Sequence, residues 1–176
     1  FFTLLGFAVI SEIPWYLLNK ADGTHNVMFT LALGVATLMV LENLLKRSLV
    51  LGFLWTLGMA GLAFWLGVDY EWRGILVIVI FYLFNVYGHS FPYSRGMQFF
   101  CTFVLMIHYG VIGSVMACMF LYLYNGTRGF IQGSIAKYGF YAFYPVHLFV
   151  IHCINSTYLN ICQLNSFTTT LIYLTH

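Results

Sequence analysis

The chain has 176 residues, of which 61% are apolar, 20% aromatic and only 7% charged, with a formal net charge of +2. A soluble domain carries roughly a quarter charged residues, so this chain lacks the polar surface to coat a globule in water, and its small, dispersed charge excludes a basic nucleic-acid face. Several runs approach the roughly 20 apolar residues a spanning helix needs, and their continuity contradicts the alternating ten-residue segments of a transmembrane β-barrel.

The expectation is therefore an all-α, polytopic transmembrane helix bundle: one domain over 1–154, then a tail or weak final helix over 155–176. The first run, 1–18, opens on Phe1 without an initiator Met or a basic leader, which places the expected natural N-terminus upstream. It contains Glu12 and Pro14 in SEIPWYLLN. Proline removes a backbone donor and clashes with the carbonyl four residues earlier, so the helix should kink or end near it. Glu12 then has two readings, a carboxylate at headgroup level or one lining a polar cavity.

A polar turn over 19–26, with His25 read as a loop residue, leads to the second run, 27–45, which ends in Lys46 and Arg47. The third run, 48–67, carries Gly52, Gly58 and Gly61, small residues that permit close helix packing. The turn holding Asp69, Glu71 and Arg73 precedes a fourth run, 74–87, whose end (Phe81, Tyr82, Phe84, Tyr87) suits an interfacial aromatic belt.

After His89, Pro92 and Arg95 comes a run over 97–124. As one helix it would measure roughly 42 Å, too long for a bilayer core unless tilted. Tyr109, Gly110 and Gly113 mark a break near its middle. If Lys46, Arg47 and Arg95 are cytoplasmic, a single crossing would put Arg128 and Lys137 outside, whereas a hairpin or re-entrant pair restores the positive-inside tendency. Each half is short for a full span, so six and seven spans both stand. The last clear helix is expected over 136–154. Cys101, Cys118, Cys153 and Cys162 lie far apart without CxxC spacing and read as small apolar residues.

Ionisable groups at membrane depth are costly, which makes them the default functional suspects. In the last helix Tyr144 and His147 share a face, and Pro145 frees a carbonyl one turn earlier. His147 is the general-base candidate, since histidine titrates near neutral pH; the alternative is a histidine satisfied inside a bundle. His108 is weaker, with no proline or cation beside it, and His152 points too far round the helix to share a metal with His147. No metal site is expected. Asn125 to Gly129 reads as a tight turn from which Arg128 could pair with phosphate or carboxylate, with Lys137 as a second cation; the alternative is a loop that anchors topology.

FAVISEIPWYLL, NVMFTLALG, Asp69-Tyr70 with Gly74, LYNGTRG and KYGFYAFYPVHLFVI occur in the order found in the TraX family, which the chain resembles over nearly all of 1–154. The resemblance implies a multi-pass protein of the bacterial inner membrane that moves an acyl group, acetyl from acetyl-CoA, to an acceptor such as a pilin-like protein, a lipid or a glycan. Glu12, Asn125, Arg128, Lys137, Tyr144 and His147 match positions in the family's motifs. On that basis His147, with Tyr144 and Glu12, is expected at the catalytic centre, and Arg128, Lys137 and Asn125 at the anionic donor. Members of the family usually begin with further apolar sequence containing an Asp-His pair, which nothing here matches; a base upstream of Phe1 would leave His147 a supporting role. Two other functions fit the same composition: a transporter that relays protons through Glu12, His108 and His147, and a non-catalytic membrane assembly factor.

Overall fold

A computed structural model of the chain describes residues 1–19, 23–88, 93–124 and 133–174, with side chains described through residue 158. Among the described residues the chain is helical throughout, with no strand and one isolated bridge between His25 and Val68. Helix α1 spans Phe2–Leu18 and carries Pro14 inside it. It runs four residues past the proline because only one donor is lost, and it stops where the Asn19 N–H bonds the Trp15 carbonyl at 2.9 Å.

Helix α2, Val27–Arg47, is the one described helix long and apolar enough to cross a membrane. Asn26 caps it, its Oδ1 accepting from the Met28 N–H at 3.0 Å, and Lys46 and Arg47 sit against the negative end of its dipole. Ser48 alone separates it from α3, Leu49–Trp65, and a short turn leads to α4, Glu71–Tyr87. α2 packs on α1, α3 and α4 and is the centre of the bundle.

The 97–124 run is broken where the sequence suggests. α5, Ser94–Met106, passes through a 3₁₀ turn, Ile107–Tyr109, to Gly110, and α6, Val111–Leu123, packs back on α5. Gly110 has φ +120°, a conformation that side chains with a Cβ rarely adopt, so the reversal depends on it. α7 spans Ser134–Leu174 and packs on α1. It starts before and runs well beyond the expected 136–154, because no glycine or proline after 154 interrupts it.

Large apolar side chains cover the outside: Ile135 is 92% exposed and Phe2 84%. The inside combines apolar residues, among them Leu41, Ile75 and several alanines, with buried hydroxyls, among them Ser11, Thr30, Thr37, Thr102 and Ser114. Most of those hydroxyls are satisfied within their own helices, Thr37 on the Leu33 carbonyl and Ser114 on that of Gly110. The large apolar side chains exposed over the outside match a bundle whose solvent is hydrocarbon. Of the three α3 glycines only Gly52 is at a close contact, where a Cβ would collide with Leu45; Gly58 and Gly61 face open space. α4 approaches α2 closely at Gly74, where a Cβ would stand 2.5 Å from Thr30 Cγ2 and 2.8 Å from Tyr70 Cβ.

Gly74→Ala is expected to lower stability by about 1–3 kcal/mol through overpacking. Gly58→Ala, in open space, should be neutral or slightly stabilising. Thermal unfolding of both variants in one detergent measures the difference, and equal midpoints would contradict the close α2–α4 approach.

Candidate functional site

The densest set of polar contacts lies where α1, the turn before α2 and the turn after α3 meet. SEIP places Glu12 on the last turns of α1, and the Trp15 indole N–H donates to the Thr24 carbonyl at 2.7 Å, drawing the following turn back over the helix. The His25 N–H then bonds the Gly67 carbonyl and the Asp69 N–H bonds the His25 carbonyl, both at 2.9 Å. This fixes the His25 backbone between two turns.

Its side chain is fixed by Glu12, whose Oε1 is 2.6 Å from His25 Nδ1. A carboxylate only accepts, so the contact puts the ring proton on Nδ1 and leaves Nε2 as the basic nitrogen. Among the described residues no hydrogen bond occupies Nε2. Glu12 is held in turn by Asn26, whose Nδ2 donates to Glu12 Oε2 at 2.6 Å and to the Ala8 carbonyl at 2.9 Å. Asn26 is completely buried, whereas the His25 side chain is about half exposed, at 48%. The arrangement is therefore an accessible imidazole on a partly exposed carboxylate that the buried Asn26 anchors.

Tyr144 reaches the same region from α7. It packs on the Leu4, Ala8, Met28 and Ala32 cluster, and its buried hydroxyl has no hydrogen-bond partner although the Val27 backbone at the start of α2 is close by. Glu12, Asp69 and Tyr70 are near enough to act on it electrostatically. The Ser11 hydroxyl is likewise buried and unpaired. Buried polar atoms without partners call for a ligand or water. Burial pushes the Asp69 carboxyl above the ordinary carboxylate range, and burial together with Asp69 raises Tyr70.

The residues expected from sequence separate into three groups. Glu12 and Tyr144 come to this junction. His147 lies on the same α7 face but bonds the Tyr144 carbonyl of its own helix through Nδ1 at 2.9 Å and stacks on Phe143. Lys137 is exposed, 6.0 Å from the Tyr138 ring centre. Asn125 and Arg128 lie outside the described residues, as do His89 and His176. Sequence reasoning passed over His25 and Asn26. The available signal was Asn26 directly before an apolar run, an N-cap pattern that forces the preceding residue into the helix junction. It also passed over Arg73, paired with Glu71 at 3.3 Å and lying 5.9 Å from the Tyr109 ring.

A family model described as TraX protein matches residues 1–155. The chain is also similar to a probable fimbrial assembly protein FimC, serogroup H1, of Dichelobacter nodosus, at 29% identity over 167 residues, covering 82% of this chain and 66% of that protein. The chain thus spans just under two thirds of that relative's length. No solved structure matches it.

The folded chain holds the Asp69 proton more tightly than the unfolded chain does. An acid raised in this way contributes stability below its unfolded value, and the contribution is lost as pH rises through the folded one. Asp69→Asn should therefore be at least as stable as the parent near neutral pH and should flatten the fall in stability as pH rises above the ordinary carboxylate value. Thermal melts across a pH series check this, and an unaltered profile would refute a burial penalty on Asp69.

Proposed function

Because the chain belongs to the TraX family, we propose that it is a multi-pass membrane acyltransferase in which His25, oriented by Glu12, is the general base. The observation that carries this reading is the 2.6 Å contact between Glu12 Oε1 and His25 Nδ1. A carboxylate on one imidazole nitrogen fixes the tautomer and the ring orientation and stabilises the imidazolium that forms during the reaction. His147 also keeps its Nε2 unprotonated, but a backbone carbonyl gives the cation less support than a carboxylate does.

In the proposed reaction Nε2 takes the proton from an acceptor hydroxyl or amine as that atom attacks the thioester carbonyl of a donor of the acetyl-CoA class. The new acyl bond forms as the carbon–sulfur bond breaks, and the imidazolium returns its proton to the departing thiolate. Tyr144 carries the one described side-chain donor at the junction without a partner apart from Ser11, and it suits the carbonyl oxygen that gains charge in the transition state. Arg128, Lys137 and Asn125 are assigned to the donor phosphates on the strength of the LYNGTRG and KYGFY motifs. The bacterial inner membrane and a count of six or seven spans belong to the same proposal. It is supported by the apolar outer surface and the α5–α6 hairpin.

A second reading, a non-catalytic membrane assembly factor, is favoured by the relative's description as a fimbrial assembly protein. The two part on transfer of labelled acetyl from acetyl-CoA in membranes carrying the whole protein. Under the first reading label enters a membrane or pilus-associated acceptor, and His25→Ala lowers the rate by about 10²–10⁴. Glu12→Gln, which keeps the size but loses the charge, should lie in between. Transfer that survives His25→Ala would give the base role to another residue, and no transfer by the parent would favour assembly.

A further inference from the structure

An apolar groove of about 230 Å³ begins at His25 and follows α2 past Phe29, Ala32 and Leu33 to Ala36, bounded on its other sides by Phe1, Leu66 and Val68. Its lining contains one polar side chain, His25, at the end where the Glu12 contact fixes the ring; the edge contact of His25 with Phe29 joins that ring to the groove wall. An acetyl group needs no such space. From Phe29 to Ala36 the helix rises about 10 Å. The volume of the groove is below the usual range for drug-sized ligands. A coenzyme headgroup does not fit there, and neither does a protein helix. A single unbranched aliphatic chain does.

We infer that this groove binds the acyl chain of the transferred group, and that the protein accepts linear chains of medium length, matched to the roughly 10 Å rise from Phe29 to Ala36, with the reacting carbonyl at His25. The inference rests on the acyltransferase reading above. Ala32 is buried and Ala36 partly so, and both are small where the groove needs width, so they set its depth. The lipid-facing surface offers apolar contact everywhere, but this groove ends on a fixed polar side chain, His25.

The test has two arms on the whole protein. In the first, an octanoic acid carrying a diazirine at its chain end is photolysed with detergent-solubilised protein and the labelled peptides are identified. Label should concentrate in the α2 segment from Phe29 to Ala36, fall in Ala36→Leu and fall further in Ala36→Phe, and be unaffected by Leu54→Phe on the exposed side of α3. In the second, octanoyl-CoA and acetyl-CoA are compared as donors, and Ala36→Phe should lower the ratio of octanoyl to acetyl transfer about tenfold or more. Label spread over the outer surface and insensitive to both Ala36 variants would overturn the groove assignment even if acetyl is transferred. Groove labelling without transfer from either donor would overturn the catalytic reading and leave an aliphatic-ligand site.

Discussion

Asn26 has no exposed surface, and its amide is divided among three partners: its Nδ2 donates to the Ala8 carbonyl and to Glu12, and its Oδ1 accepts from the Met28 amide. A buried amide left without partners costs a few kcal/mol. The chain meets that demand by bringing the last turns of α1 to the first turn of α2. Much else follows from this constraint. With α1 held there, Glu12 cannot avoid the residue before Asn26, and that residue is a histidine. The bridge from His25 to Val68 then extends the junction to α3 and α4.

Away from this junction the bundle is held by different means. Hydrocarbon provides no hydrophobic drive between helices, so association depends on close packing of small residues and on internally satisfied polar groups. α2 shows both. Gly74 and Thr30 bring α4 against it, and the Trp55 indole crosses from α3 to the Thr37 carbonyl at 3.1 Å. The apolar exterior is one consequence of the low charge content.

The junction joins two features: an accessible imidazole on a carboxylate that the buried Asn26 anchors, and an apolar groove that starts at the same ring. Chemistry at a carbonyl or hydroxyl needs the first, and selection among aliphatic chains needs the second. The family assignment and the similarity to a fimbrial assembly protein are compatible with both features and prescribe neither.

Composition alone established a helical, lipid-facing chain, since 7% charged residues cannot coat a globule, and local chemistry marked the Gly110 break, because one glycine with positive φ is a local property. Glu12 and Tyr144 were legible as suspects because ionisable or polar groups stand out in an apolar run. Local rules were less reliable for α1, which runs beyond Pro14, and for α7, which runs beyond residue 154, since a helix tolerates one lost donor and continues where nothing breaks it. The partnership of Glu12 with His25, 13 positions apart, was not legible, because it depends on how the intervening turn folds back and on which groups Asn26 satisfies. Only tertiary structure decided that. A hydrogen bond between helices is a property of their relative placement, which no local sequence pattern encodes.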